Sequence, residues 1–114
     1  ADFQPDPEQV EAAVTDRTVA ILINSPSNPT GAVLSEATIR ALCQIAIEKD
    51  LLVVSDEIYQ HLLYDGRTHF SPVHVEGMVE RTLIADGVAK TYAMPGWRIG
   101  WTLGPAPLVE VVVD

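Results

Sequence analysis

The stretch SEATIRALCQIAIEKDLLVVS, residues 35–55, predicts a helix followed directly by a buried strand, and this pair decides the fold class. Its first residue, Ser35, is suited to cap a helix that runs to about Asp50. The closing LLVVS, residues 51–55, is a short aliphatic run of the kind found in strands covered on both faces. Four apolar residues fall on one face of the predicted helix, at the spacing i, i+3, i+4 and i+7: Ile39, Leu42, Cys43 and Ala46.

A second run rich in β-branched residues, TVAILIN at residues 18–24, precedes this helix and predicts another buried strand. A strand, a helix and a strand in succession form a parallel pair with a right-handed crossover. TLIAD, residues 82–86, predicts a third strand, and WRIGWTL, residues 97–103, predicts a fourth. The connection between these two is about the minimum length for a parallel crossover and has no clear helix, so we predict that the fourth strand is antiparallel to the third.

These elements predict an α/β fold, a three-layer sandwich whose sheet is mostly parallel with one antiparallel strand. A further helix is predicted at DPEQVEAAV. Asp6 is its expected N-cap, Pro7 occupies the first helical position, and Gln9 stands at the capping-box position.

Composition excludes several classes of function. The chain has 114 residues, a net charge of −9 and an apolar fraction of 47%. The negative charge argues against nucleic-acid binding, because few basic residues are present to neutralise phosphates. We find no signal peptide and no apolar run of membrane-spanning length, and one cysteine cannot form an internal disulfide, so a cytoplasmic protein is expected. Because the sequence starts without methionine and stops within an apolar pattern, we expect it to be part of a longer protein.

Polar residues follow three of the predicted strands: Asn28 in NPTG, Asp56 in SDEIY and Lys90 in DGVAK. Ligands of parallel α/β sheets bind outside the carboxyl ends of the strands, so an amide, a carboxylate and an amine are directed toward one edge. Tyr59 lies one helical turn beyond Asp56 and on the same face. Each residue also has an ordinary interpretation: a turn asparagine, a helix cap, a core tyrosine and a solvated lysine.

The stretch ADGVAKTYAMPGWRIGW, residues 85–101, contains two cations, Lys90 and Arg98. Small and apolar neighbours around Lys90 predict an environment that can lower the pKa of a lysine into the nucleophilic range. Arg98 falls within the predicted fourth strand, where a buried guanidinium needs an anionic partner and suits a phosphate. One chemistry uses an amine, a carboxylate, neutral donors and a guanidinium together, and that is pyridoxal phosphate catalysis.

The chain resembles the class I/II aminotransferases of the fold type I pyridoxal-phosphate superfamily. The resemblance covers about residues 20–105 and rests on NSPSNPTG, VVSDEIYQHLLYDG and GVAKTYAMPGWRIGW, in that order. It implies that residues 1–114 are part of the pyridoxal-phosphate-binding large domain. It also implies a homodimer, which transfers an amino group between an amino acid and a 2-oxo acid.

The resemblance further implies a role for each site residue. Lys90 matches the lysine that forms a Schiff base with the cofactor and then moves the proton between the substrate and the cofactor. Asp56 matches the partner of the pyridine nitrogen, and Tyr59 and Asn28 match the donors to the phenolic oxygen. Arg98 matches a phosphate ligand, and no residue is assigned to a metal.

Three departures from the family pattern stand out. Asp86 replaces the asparagine or serine that relatives often have near the phosphate, where its carboxylate could either repel phosphate or point away from it. Pro95 replaces a common threonine, and the β-branched LVEVVVD stands where the resemblance implies a helix after GPAP.

Other functions remain open at this stage. The same superfamily core serves β-lyases, synthases and decarboxylases, and aminotransferase-like domains also act as effector sensors in transcription regulators. A non-catalytic α/β binding module is a third alternative. The resemblance places a phosphate-binding loop before Ala1 and the substrate-carboxylate arginine after Asp114, so residues 1–114 alone are expected to be inactive.

Overall fold

Strand order in the sheet follows the order of the strands in the sequence. The computed structural model describes residues 2–113 and contains a four-stranded sheet with the order β1-β2-β3-β4. The first three strands are parallel, and β4 is antiparallel to β3. The predicted mixed α/β sheet and the direction of its fourth strand are therefore confirmed. The strands are β1 (Ala20–Asn24), β2 (Leu52–Asp56), β3 (Thr82–Gly87) and β4 (Gly100–Leu103).

Within residues 2–113, four α-helices accompany the sheet. In α1, the Asp6 carboxylate accepts a hydrogen bond from the backbone N–H of Glu8, so the predicted N-cap is confirmed. The Gln9 amide donates to that carboxylate at 3.2 Å rather than accepting from the Asp6 backbone, as a capping box would require. The helices are α1 (Pro7–Ala13), α2 (Glu36–Glu48), α3 (Val88–Thr91) and α4 (Ala106–Val113).

The core lies between α2 and the adjacent face of the sheet. Ser35 caps α2 by accepting from the backbone N–H of Thr38 at 3.1 Å, as predicted. The predicted stripe of α2 is buried, and burial raises the pKa of the Cys43 thiol to about 11, although Arg40 opposes the shift. Such a thiol is protonated and unreactive at neutral pH. Buried apolar residues that pack together are Ile23, Ile39, Leu42, Cys43, Ile45, Ala46, Leu51, Val53 and Met78.

The fourth strand is shorter than predicted, and its first predicted residues form a turn instead. Pro95–Trp97 is a single turn of 3₁₀-helix, and Arg98 has a left-handed φ of 54°. Proline cannot donate to a strand ladder, and a proline–glycine pair favours a turn, so the strand begins only at Gly100. The prediction that Arg98 lies inside an apolar strand is therefore wrong.

The segment after GPAP is helical, in agreement with the resemblance rather than with its β-branched composition. It forms α4, which begins at Ala106. Tertiary context overrides the modest helix penalty of valine in this segment. Within residues 2–113, every helix falls short of the length and apolar character that crossing a membrane requires.

Candidate active site

The candidate site is built at the carboxyl ends of β1, β2 and β3. Asp56 is the last residue of β2, where it pairs in register with Asn24 of β1 and with Ala85 of β3. Alternation along β2 directs Val53 and Ser55 to the core, and Asp56 therefore points to the opposite face. The backbone N–H of the residue two positions on donates to the Asp56 carboxylate at 3.2 Å.

Tyr59 and Lys90 approach each other across this edge. Tyr59 lies in the turn that follows β2, and Lys90 lies in α3, directly after β3. The Nζ atom of Lys90 is 5.5 Å from the centroid of the Tyr59 ring, within the range of a cation–π contact. Lys90 is exposed. The predicted apolar enclosure of this amine is therefore wrong, because its small neighbours do not cover it.

Asn28 lies in the turn beyond β1, and its side chain is exposed. Its backbone N–H donates to the Asn24 side chain at 2.8 Å, which folds the turn back onto the end of the strand. Because Asn24 is in register with Asp56, the turn stands at the same sheet edge as the carboxylate. The structure thus places the turn of Asn28 at the sheet edge where β2 ends.

Arg98 is held next to the start of α3. The carbonyl of Ile99 accepts from the backbone N–H of Val88 at 3.2 Å, which ties the segment before β4 to this short helix. The guanidinium itself is exposed and reaches the carbonyl of Pro95 only at 3.5 Å. An exposed guanidinium needs no buried counter-charge, so Arg98 keeps donors for an external anion.

Gly87 and Gly100 allow the backbones of β3 and β4 to lie close together. A Cβ atom added to Gly87 would lie 2.9 Å from the carbonyl oxygen of Ile99 and 3.1 Å from the Cα atom of Gly100. Both contacts are with backbone, which cannot move without separating the strands. Glycine at position 87 therefore fixes the distance between α3, which carries Lys90, and the segment that carries Arg98.

Asp86 is one of the three departures noted in the sequence. Each of its carboxylate oxygens accepts a hydrogen bond from a neutral donor. The Gln60 amide donates to Oδ2 at 2.8 Å, and the backbone N–H of Gly87 donates to Oδ1 at 2.7 Å. These bonds link β3 to the turn that contains Tyr59. The carboxylate is thus directed toward that turn and the strand end.

A buried polar cluster behind Asp56 was missed in the sequence. Glu57 is only 3% exposed, and its Oε1 atom accepts from the hydroxyls of Ser55 at 2.9 Å and Ser71 at 2.6 Å. Its Oε2 atom lies 3.0 Å from Nε2 of His69. Burial alone raises the pKa of the Glu57 carboxyl, but the contacts with His69, Ser71 and Ser55 outweigh burial and hold that pKa below its usual value. The alternation in VVSDE could have predicted that the side chains of Ser55 and Glu57 face the core.

The donor set fits pyridoxal phosphate. An amine, a carboxylate, a phenol and an amide stand at one sheet edge, and a guanidinium lies beside the short helix that carries the amine. Each group has a chemical counterpart on the cofactor: an aldehyde, a pyridine nitrogen, a phenolic oxygen and a phosphate. Among residues 2–113, His, Cys, Asp and Glu form no group of three or more that could hold a metal ion.

Comparison with known proteins shows the family of this chain. The family model described as aminotransferase class I and II matches residues 1–114. The chain belongs to this family. Its members depend in general on pyridoxal phosphate, the cofactor that the donor set fits.

Curated relatives in this family are considerably longer. The aspartate/prephenate aminotransferase of Thermus thermophilus is 51% identical over 98% of this chain, which covers 28% of that protein. The aspartate aminotransferase of Pyrococcus abyssi is 41% identical over 98% of this chain, which covers 29% of it. The chain therefore spans less than a third of the length of these relatives.

Solved structures of aminotransferases share the fold described above. The aspartate aminotransferase of Thermus thermophilus with maleate has a TM-score of 0.90 and 51% identity, with 96% of this chain and 28% of that chain covered. The aromatic aminotransferase of Pyrococcus horikoshii has a TM-score of 0.92 and 42% identity, with 96% and 29% covered. The sheet of this chain thus corresponds to a portion of a fold type I aminotransferase.

Proposed function

We propose that residues 1–114 form part of the large domain of a pyridoxal-phosphate-dependent aminotransferase. The proposed reaction transfers an amino group between an amino acid and a 2-oxo acid. The contact of Lys90 with the Tyr59 ring, at the sheet edge where Asp56 ends β2, is the observation that carries the proposal. Membership of the aminotransferase family supports it. A homodimer is proposed on the resemblance, and a cytoplasmic location is proposed on the sequence alone.

The residues divide the work according to their chemistry. Bound pyridoxal phosphate supplies an electron sink that makes the α-proton of an amino acid acidic. The Lys90 amine would hold the cofactor through its aldehyde, and the same amine would move a proton at the substrate α-carbon. Asp56 keeps the pyridine nitrogen protonated by offering a carboxylate as its hydrogen-bond acceptor.

The other three residues orient the cofactor and bind its charged end. Tyr59 and Asn28 donate to the phenolic oxygen, where neutral donors withdraw electron density. Arg98 binds the phosphate through paired N–H groups, for which its exposed guanidinium is suited. Within residues 2–113 Asp86 forms no ion pair with that guanidinium, and its carboxylate accepts from Gln60 and Gly87 instead.

Borohydride reduction of the complete enzyme loaded with pyridoxal phosphate tests this assignment. Reduction makes the attachment permanent, and peptide mass mapping then identifies the labelled residue. We expect the label on Lys90. Lys49 is the internal control, because it is the other lysine of this sequence and its Nζ atom pairs with Glu11 at 2.9 Å. A label on Lys49, or no label within this chain, would contradict the proposal.

A further inference from the structure

The buried carboxylate of Glu57 is not used by the proposed reaction. Its neighbour Asp56 faces the proposed cofactor, and alternation along β2 sends Glu57 to the other side of the sheet, among residues of the core. Burying a carboxylate costs free energy unless it is paired and hydrogen-bonded. The contacts that Glu57 makes with its neighbours must therefore offset the free energy that its burial costs.

The contacts of Glu57 close a long loop. His69 and Ser71 lie at the end of the segment that leaves β2, and both return to the Glu57 carboxylate, at 3.0 Å and 2.6 Å. Ser55 adds a third contact from β2 itself, at 2.9 Å. The carboxylate thus joins the strand that ends at Asp56 to residues more than ten positions further along the chain.

The turn with Tyr59 begins at this fixed point. The backbone N–H of Glu57 donates to the carbonyl of Ala85 in β3 at 2.9 Å. The carbonyl of Glu57 accepts from the backbone N–H of Gln60 at 2.8 Å. Main chain and side chain of Glu57 are therefore both bonded. Tyr59 lies between Glu57 and Gln60, and Gln60 is itself tied to Asp86 of β3.

We propose that Glu57 is a positioning residue for the cofactor site, whose buried contacts with Ser55, His69 and Ser71 set the turn that carries Tyr59. This inference rests on the proposed function, because Tyr59 is the residue through which Glu57 acts. The Glu57 carboxylate touches no reacting atom. A change at Glu57 should therefore alter the absorption spectrum of the bound cofactor.

The test is the pH dependence of visible absorption in the complete enzyme loaded with pyridoxal phosphate. Loss of the Tyr59 hydroxyl in Tyr59→Phe should raise the midpoint of the spectral transition by about one pH unit, because a hydrogen bond to a charged oxygen contributes about 1.4 kcal/mol or more. Glu57→Gln should raise the midpoint in the same direction. The double variant should show no more than the Tyr59→Phe shift, because Glu57 acts through Tyr59.

Ser71→Ala is a milder variant that removes one donor and keeps the buried charge, and it covers the case in which Glu57→Gln does not fold. It should give a smaller shift in the same direction. Thr82→Val is the matched control: Thr82 is 1% exposed, lies at the opposite end of β3, and has a hydroxyl without a hydrogen-bond partner within residues 2–113. Its midpoint should equal that of the wild type.

One further measurement follows the turn directly, and the outcomes separate a failure of the positioning role from a failure of the proposed function. Hydrogen exchange of the Gln60 and Leu62 amides, which close the turn, should become faster in Ser71→Ala without cofactor. An unshifted midpoint in Ser71→Ala and Glu57→Gln, or additive shifts in the double variant, would overturn the positioning role while the proposed function stands. Wild-type enzyme that carries no cofactor on Lys90 would overturn both.

Discussion

At the scale of single residues, the proposed site combines exposed side chains with partly buried ones. Lys90, Arg98 and Asn28 are exposed, whereas Asp56 and Tyr59 are partly buried. A cofactor can therefore reach the amine and the guanidinium without displacing packed residues.

Arg98→Ala in the complete enzyme should raise the dissociation constant for pyridoxal phosphate about ten- to a hundredfold. A charge-assisted hydrogen bond contributes about 1.5–3 kcal/mol, which corresponds to that range. Equilibrium titration of the cofactor-free enzyme measures the effect. Arg17→Ala, at another exposed arginine outside the site, is the control and should leave the affinity unchanged. If Arg98→Ala bound the cofactor as tightly as wild type, Arg98 would not be a phosphate ligand.

The sequence predicted the positions of Asp56 and Lys90 at strand ends better than it predicted their surroundings. Asp56 and Lys90 were predictable because each follows an apolar run that is typical of a buried strand. The exposure of Lys90 and Arg98 was not, because exposure depends on which distant segments cover a side chain. Glu57 was missed because its partners His69 and Ser71 are far along the chain, and no local pattern pairs them.

At the scale of elements, the antiparallel pair of β3 and β4 links the two cations of the site. Gly87 is opposite Gly100 in this pair, and the segment that contains Arg98 leads directly into β4. The direction of β4 was predictable from the length of its connection. Its first residue was not, because the turn formed by Pro95 and Gly96 outweighs the aromatic and β-branched residues that follow.

Gly87→Ala should destabilise the complete enzyme by about 1–3 kcal/mol, as overpacking does, because the added Cβ would press on the backbone of β4. Denaturant unfolding measures the change. Gly96→Ala is the matched control, since a Cβ there meets no atom within 4 Å. Equal stability of the two variants would show that the strands do not need this close approach.

At the scale of the whole molecule, the sheet leaves apolar surface uncovered. β1 is an edge strand within residues 2–113, and Leu22 on it is 72% exposed. Trp97 near the other edge is 67% exposed. Edge strands with apolar faces pair readily with other chains.

The 114-residue chain expressed alone should consequently aggregate or unfold without cooperativity, and it should retain no visible cofactor absorbance after desalting. Light scattering, denaturant unfolding and absorption spectra measure these properties. The complete enzyme serves as the control. A monodisperse chain that unfolds cooperatively and keeps one equivalent of cofactor would contradict this prediction.

The most direct test of amino-group transfer is a half-reaction without an acceptor. The complete enzyme, loaded with pyridoxal phosphate, is mixed with single amino acids of each side-chain class. We predict one equivalent of 2-oxo acid per site, no ammonia and no carbon dioxide, and no product from Lys90→Ala. Repeated release of ammonia or carbon dioxide would indicate a lyase or a decarboxylase. Binding of amino acids without any 2-oxo acid would indicate a sensor, and either result would contradict the proposed aminotransferase.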